Sequence, residues 1–572
     1  MAFDDSGLDA DQRAAVLCDD EQILVLAGAG SGKTNTLVHR VARLVDRGVA
    51  PERIVLATFT NRAARAMIQR AAAHLGSRAT RVRAGTFHQL AYRHLRERGA
   101  EIGLPERLTI LDRRGAAAAL AEAIEGPPPP GLLDVLSYAV NADVDLAHAA
   151  RVRRFESNLP LEEVADRFAD AKARRGALDF DDLLVAWELL LLRRPPTDVD
   201  HVLVDEFQDT NPIQARIAAR LGGHRFAVGD ALQSIYAFRG ARHANILELA
   251  DDPRTTVFTL TTTYRCPPAV VRIANAIAAP LPRAEPLVAA RSSGPDVTHL
   301  APFDEADEAE QLTNTIRRHL EAGARPGDIA VLFRLHSHGE AIEAALAHAA
   351  LPYALRGARR YFDATPLLSA YLAVLAGEAD DDAWRAVIRA EPGVGAVTAD
   401  RALVATNREA PFTFLRRVPN LVPLAHRLDD LLHRSPAEAI EALLDSPPFA
   451  EHRAVLGPVA HLAREHSRFT DLLADVALAS EPLDDGRDHI TLSTVHQAKG
   501  LEWPIVAVLR VNDGAFPPSH AEDEDEERRL LFVAATRAKD SLILSVPRAA
   551  MTPSGPLPAA PSRFIAGLLS ER

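Results

Sequence analysis

The run Leu24-Val25-Leu26-Ala27-Gly28-Ala29-Gly30-Ser31-Gly32-Lys33-Thr34 constrains this chain more than any other stretch. An apolar segment that reads as a buried strand ends in a glycine-rich turn, and Asn35 to Val45 follows with helical spacing. Gly28, Ala29, Gly30, Ser31 and Gly32 make a turn tight enough to aim successive backbone N–H groups at one phosphate chain. The helix that follows adds the positive end of its dipole at the same point. Lys33 supplies a point charge for the outer phosphates, and Thr34 a hydroxyl for Mg²⁺. These residues predict a nucleotide site.

A second segment complements the first. Val202-Leu203-Val204-Asp205-Glu206 sets two carboxylates at the end of an apolar strand, where ligands sit in α/β sheets. A hard cation held by Thr34 and Asp205 would bridge the outer phosphates, and Glu206 could then orient or deprotonate the attacking water. Phosphoryl transfer also needs positive charge on its transition state, often an arginine from another element.

The fold class expected is α/β, with two parallel-sheet cores each split by a mainly helical insertion. Strand-like runs alternate with helical stretches over 1–96 and again over 179–262, around His201–Asp205 and Arg225–Asp230. Between them, over 97–178, the strand signal fades. Ala116–Ile124 and Leu161–Ala173 read there as amphipathic helices, with a break at Pro127–Pro130. A second core is expected over 263–365 and 487–572, from Asp328–Phe333, Ile490–Ser493, Ile505–Leu509 and Ser541–Leu544. It is interrupted over 366–486 by helical, proline-broken sequence. The acidic run Glu522–Glu527 reads as a solvated face.

Composition narrows the setting. Cys18 and Cys266 are the only cysteines, so neither a disulfide framework nor a zinc cluster is expected. The start lacks the segments of a signal peptide and no uncharged apolar run reaches membrane-spanning length, which predicts a cytoplasmic protein without a membrane partner. The net charge of −13 does not exclude a nucleic-acid partner, because binding depends on where charge sits. The positive charge is nearly all arginine, dense from Arg62 to Arg114.

Further blocks follow the same order along the chain: Ala57–Asn61, Gly85–His88, Asp205–Thr210, Val228–Tyr236, Thr263–Arg265, Thr494–Glu502 and Glu526–Ala538. Together with the phosphate loop they resemble the superfamily 1 helicases of the UvrD/PcrA/Rep type over nearly the whole chain. The resemblance implies two RecA-like motor domains with ATP and Mg²⁺ in the cleft between them. It assigns Gln12 to the adenine edge, Tyr264 to the base face, Glu502 to the ribose and Gln233 to the γ-phosphate. Arg265 and Arg537 become arginine fingers acting from the second core. Single-stranded DNA is expected across both cores, touching Phe59, Asn61, Phe87, His88, Tyr236, Phe238, Arg239 and His496, since aromatic faces stack bases without reading sequence. Pro392–Thr398 is similar to a glycine turn that grips duplex backbone.

The chain departs from that pattern in places. Asn35 stands where an arginine against the adenine is common, Ala231 and Leu232 replace acids, and Phe238 replaces a frequent tryptophan. Both insertions are short. The function expected is an ATP-driven 3′→5′ helicase or translocase on single-stranded DNA and its duplex junctions, associated with the nucleoid, in repair or recombination. The alternative is a translocase that works with a protein partner, displacing proteins or acting in phage defence. A non-catalytic DNA-binding scaffold is disfavoured by the intact set Lys33, Asp205, Glu206, Gln233, Arg265 and Arg537.

Overall fold

A computed structural model describes residues 3–569 except 106–107, 357–365, 378, 380, 404–411, 447–448, 450–458, 460–462, 465, 478–487, 522 and 553–554. The chain divides into two compact units, Met1–Arg356 with Asp488–Arg572, and Gly357–Arg487.

The first unit is built on two six-stranded sheets whose strands are all parallel. In one, β1 (Gln22–Ala27), β2 (Ile54–Thr58), β3 (Arg83–Thr86), β4 (His201–Val204), β5 (His224–Gly229) and β6 (Thr256–Leu260) run in the order β3-β2-β4-β5-β1-β6. In the other, β7 (Thr298–Leu300), β8 (Ile329–Phe333), β9 (Tyr353–Leu355), β10 (Ile490–Thr494), β11 (Trp503–Val508) and β12 (Ala538–Ser545) run β7-β12-β11-β8-β10-β9. Parallel strands are covered by helices on both faces, and β2, β8 and β10 are accordingly buried along their whole length. Each buried Ile, Val or Leu of such a strand contributes about 1.5–3 kcal/mol. The chain returns across each sheet through helices, Lys33–Asp46 after β1 and Asn61–Leu75 after β2 in the first.

Register decides where the chemistry lands. β5 lies between β1 and β4, with Leu26 opposite Gly229 and Val204 opposite Ala227. The turn after β1, Asp230 after β5 and Asp205 after β4 therefore emerge side by side at the carboxyl ends of three neighbouring strands.

The helical segment between the halves of the first sheet is richer than expected. The helices Arg113–Ala123 and Leu161–Arg174 match the two amphipathic stretches, and Leu132–Ala142 and Leu146–Val152 lie between them. A short parallel pair, Thr109–Ile110 with Ala177–Leu178, closes its base. There Lys172 is buried with its ammonium 2.6 Å from both Asp179 and Asp182.

The second unit is helical among its described residues, with Pro366–Ala376, Asp381–Arg389, Ala396–Leu403, Val422–Leu432, Pro436–Leu444 and Phe469–Ala477. Its core centres on Leu372, Val387, Leu424 and Ile440, with Trp384 edge-on to Phe412 and Phe414. Pro392–Thr398 turns one helix into the next with Gly393 at φ +76°. Val394 is buried there, whereas Val397 is 74% exposed.

Among the described residues no helix is long and apolar enough to cross a membrane. Cys18 and Cys266 are both free.

Candidate active site

The turn after β1 is held shut by its own backbone and side chains. Ser31 Oγ donates to Gly28 O at 2.8 Å, and Ala29 is fully buried. Gly30 and Gly32 take φ of +75° and +86°. A Cβ on Gly30 would meet Arg265 Cβ and Thr263 Oγ1, both at 2.6 Å, so only glycine lets the Thr263–Arg265 segment approach. That segment is fastened by Tyr264 N donating to Gly30 O at 2.9 Å. Lys33 and Thr34 open the following helix. Lys33 Nζ donates to Ala27 O at 3.0 Å and lies 3.8 Å from Asp230 Oδ2.

At the end of β4, Asp205 is buried, and its Oδ1 has no hydrogen-bond partner. Burial and the adjacent Glu206 push its carboxyl well above the usual range, with Lys33 opposing them. Glu206 takes a left-handed backbone, φ 50° and ψ 46°, a conformation costing about 1–3 kcal/mol for a residue with a side chain. Burial acts to raise its carboxyl too, but Lys33, Lys499 and the hydrogen bond from Gln208 overcome it and hold Glu206 below its ordinary value. Gln208 Nε2 donates to Glu206 Oε2 at 2.6 Å, and Gln208 Oε1 accepts from Asp230 N at 2.9 Å. The two carboxyls are thus driven apart, one toward its neutral form and one held ionised.

Groups from the second sheet meet these. Arg537 is 2% exposed, and its Nη2 donates to Gln233 Oε1 at 3.0 Å, while Gln233 Nε2 donates to Asp230 Oδ2 at 2.6 Å. Burial and nearby Arg265 pull the Arg537 guanidinium down to about 9. Lys499 donates to Asp209 Oδ1 at 2.7 Å and to Gln233 O, with both charged side chains buried. Burial pushes Asp209 up to about 7 against the pull of that lysine.

Arg265 is committed within its own surroundings. Its Nε donates to Glu502 Oε2 at 2.7 Å and its Nη1 to Thr536 O at 3.0 Å, and Lys539 takes the other oxygen of Glu502 at 2.7 Å. Tyr264 projects its ring half exposed, and its hydroxyl donates to Asp9 Oδ2 at 2.7 Å. Gln12 is buried and engaged locally. Its Oε1 accepts from Asp9 N at 3.2 Å in the cap of helix Ala10–Leu17, and its Nε2 donates to Ser31 O at 2.8 Å. Asn35 Nδ2 donates to Gly7 O at 3.2 Å.

The aromatic residues expected to stack bases divide into two groups. Phe59 and Tyr236 stack on each other at 5.0 Å and 13°, and Phe238 follows at 6.0 Å from Tyr236 and edge-on to His496 at 5.4 Å. The Arg239 guanidinium lies over both the Tyr236 and Phe238 rings, and Lys499 lies 4.9 Å from the Tyr236 centroid. Phe238 is 45% exposed and offers an open face. Tyr236 corrects the sequence reading: it is 8% exposed, with one face covered by Phe59 and its hydroxyl donating to His496 O at 3.0 Å. It braces the outer ring from beneath. Phe87 is a second correction. It opens helix Phe87–Arg98 under a Thr86/Gln89 capping box and is 6% exposed, because that cap turns its first side chain into the core. His88 sits edge-on to Phe180 at 5.9 Å, and Asn61 opens helix Asn61–Leu75 with a buried Oδ1 that has no hydrogen-bond partner.

Sequence reasoning gave no role to Gln208, Asp209, Asp230 or Lys499. One signal for Lys499 was available: only four of the sixty-five basic Lys and Arg residues are lysines, Lys33, Lys172, Lys499 and Lys539. All four are ion-paired here, where a compact ammonium rather than a planar guanidinium suits the space.

The geometry brings together a glycine-rich turn at a helix start, a buried carboxyl with an unsatisfied oxygen, a second carboxylate held below its ordinary value, and a buried guanidinium from beside the second sheet. The UvrD/REP helicase N-terminal domain matches residues 8–254, and the UvrD-like helicase C-terminal domain matches residues 258–412 and 415–549. A protein named ATP-dependent DNA helicase PcrA from Leuconostoc citreum is 31% identical, over 99% of this chain and 85% of its own length. One named ATP-dependent DNA helicase UvrD2 from Mycobacterium tuberculosis (strain ATCC 25618 / H37Rv) is 32% identical, over 99% of this chain and 82% of its own.

Proposed function

The chain belongs to the UvrD/REP helicase family, and from that premise we propose that it is an ATP-dependent DNA helicase that moves 3′→5′ along single-stranded DNA and separates strands at a duplex junction. The observation that carries this reading is the continuous chain Lys33–Asp230–Gln233–Arg537, which runs from the phosphate-binding turn of one sheet to a buried arginine of the other. Hydrolysis then depends on how the two cores meet, because the transition-state charge comes from across the cleft.

The residues fit a magnesium nucleotide. The buried, unpartnered Asp205 oxygen and the Thr34 hydroxyl would hold Mg²⁺, Lys33 the outer phosphates, and Tyr264 the base. Magnesium supplies charge neutralisation on the phosphates. Glu206, held ionised by Lys33 and Lys499, orients and deprotonates the water. Gln12 donates one amide hydrogen to Ser31 O and accepts from Asp9 N, which fixes its amide and leaves its second hydrogen for a nucleobase. A phosphate would compete with Glu502 for the Arg265 guanidinium, which couples nucleotide binding to rearrangement of the cleft. Single-stranded DNA rests on Phe238 and the Arg239 guanidinium, and the pathway is DNA repair or recombination.

The test is strand displacement on 3′-tailed, 5′-tailed and blunt duplexes, measured beside ATP hydrolysis with and without single-stranded DNA. DNA-stimulated hydrolysis with displacement of the 3′-tailed duplex is expected. Hydrolysis indifferent to DNA overturns the reading, and preference for a 5′ tail overturns the polarity.

A further inference from the structure

Part of the acidic stretch read as a solvated face turns out to carry a contact between the two cores, on the backbone that leads into the exposed Phe238. Asp523 caps helix Glu524–Ala535, its Oδ1 accepting from Glu526 N at 2.8 Å. Glu526 Oε1 accepts from Ala237 N at 3.2 Å, and Arg529, one turn later, donates from Nε to Ser234 O at 2.8 Å. Spacing of three residues places both on one helix face. The same helix is anchored elsewhere by its other charges. Glu527 takes a forked hydrogen bond from Arg334, and Arg528 lies over Phe564 at 4.3 Å.

What the pair grips is backbone, and its position matters. Ser234–Ala237 joins Gln233, which receives the Arg537 guanidinium, to Phe238, the exposed ring. The far side of that loop is pinned by the helical insertion. Arg153 Nη1 donates to Phe238 O at 3.2 Å, and Gly240 lies so close to Asn141 that a Cβ there would meet its backbone at 2.8 Å. A segment held at both ends and gripped in the middle transmits displacement with little slack.

Resting on the helicase reading above, we infer that Glu526 and Arg529 are positioning residues. They hold Ser234–Ala237 so that DNA seated on Phe238 sets the register of Gln233 against Arg537. Both act on the backbone of that loop, and their effect is on coupling.

The experiment measures kcat and KM for ATP, with and without saturating oligo-dT, in wild type, Glu526→Leu, Arg529→Leu and the conservative variants Glu526→Gln and Arg529→Lys. Arg529→Gln replaces a leucine variant that does not fold. In the leucine variants DNA-stimulated kcat falls about tenfold, while DNA-independent kcat and KM stay within about twofold. Glu526→Gln keeps an acceptor for Ala237 N, Arg529→Lys keeps a donor for Ser234 O, and both retain most of the stimulation. A parallel fall of basal and stimulated turnover, or stimulation unchanged in both leucine variants, overturns the inference. A wild-type protein without DNA stimulation overturns the helicase reading beneath it as well, which separates the two failures.

Discussion

Arg537 and Gln233 are joined by a 3.0 Å hydrogen bond between side chains that stand 304 residues apart in the chain. Gln233 is in turn bonded to Asp230, which lies 3.8 Å from Lys33, so the guanidinium of one core is linked to the ammonium of the other through two side chains. Arg537 also donates to Val533 O and Leu501 O, which fixes it where it is buried. In the mechanism proposed above, a guanidinium held this way would act on the reaction without first being ordered.

Replacement of Arg537 by alanine is therefore expected to lower kcat by about 10³-fold while changing KM for ATP much less, as for a group that acts in the transition state. Steady-state kinetics at saturating DNA test this. Equal weakening of kcat and of nucleotide affinity would make Arg537 a ground-state ligand instead.

Lys33→Ala and Glu206→Gln each abolish DNA-stimulated hydrolysis, by about 10²-fold or more, and leave single-strand affinity nearly intact. Fluorescence anisotropy with a labelled oligonucleotide, run beside the ATPase assay, checks both halves. Turnover that survives either change refutes the assignment.

Lys499 and Asp209 form a buried ion pair between the cores. Lys499→Met strands the Asp209 carboxyl in the interior and is expected to cost about 3–5 kcal/mol of stability, much of it recovered by adding Asp209→Leu. Urea unfolding of the single and double variants reads this out. A double variant no more stable than the single one would show that the pair is not coupled.

Phe238→Ala weakens single-strand binding by about 1–3 kcal/mol, the usual worth of one base stacked on an aromatic face. Phe87→Ala instead destabilises the fold by about 3–5 kcal/mol and leaves DNA affinity per folded molecule unchanged, because its ring is part of the core. Melting curves and binding isotherms for both variants separate the two roles.

Burial, then Arg334, Arg239 and Lys499, pull His496 down from 6.5 to about 3. The unfolded chain binds a proton at this site below pH 6.5 that the folded chain refuses until about pH 3, so this site makes stability rise with pH across that window. Unfolding midpoints between pH 5 and pH 7 are expected to climb, and more shallowly in His496→Gln. An identical slope in the variant would assign the dependence to other groups.

Much of this molecule was legible from local pattern. β1, β2 and β8 announce themselves as continuous apolar runs, and Gly28–Thr34 as a tight turn into a helix, because those signals are written within a few residues. Short strands without such runs, Arg83–Thr86 and Thr298–Leu300, were not visible, since sheet pairing rather than composition makes them strands. Phe87 was misread because its environment is set by a cap and a helix packed around it.

The chain alone determined which groups are present: the glycine turn with Lys33 and Thr34, the paired carboxyls Asp205 and Glu206, and the arginines Arg265 and Arg537, each a matter of residue type and short spacing. Only the folded molecule decided which of them meet. Lys499 with Asp209, Arg537 with Gln233 and Glu526 with Ala237 are each separated by hundreds of residues. Whether a lone charge becomes a solvated face or a buried partner depends on what the other sheet brings against it. That is a property of tertiary packing, because desolvation and hydrogen bonding act only on groups already in contact.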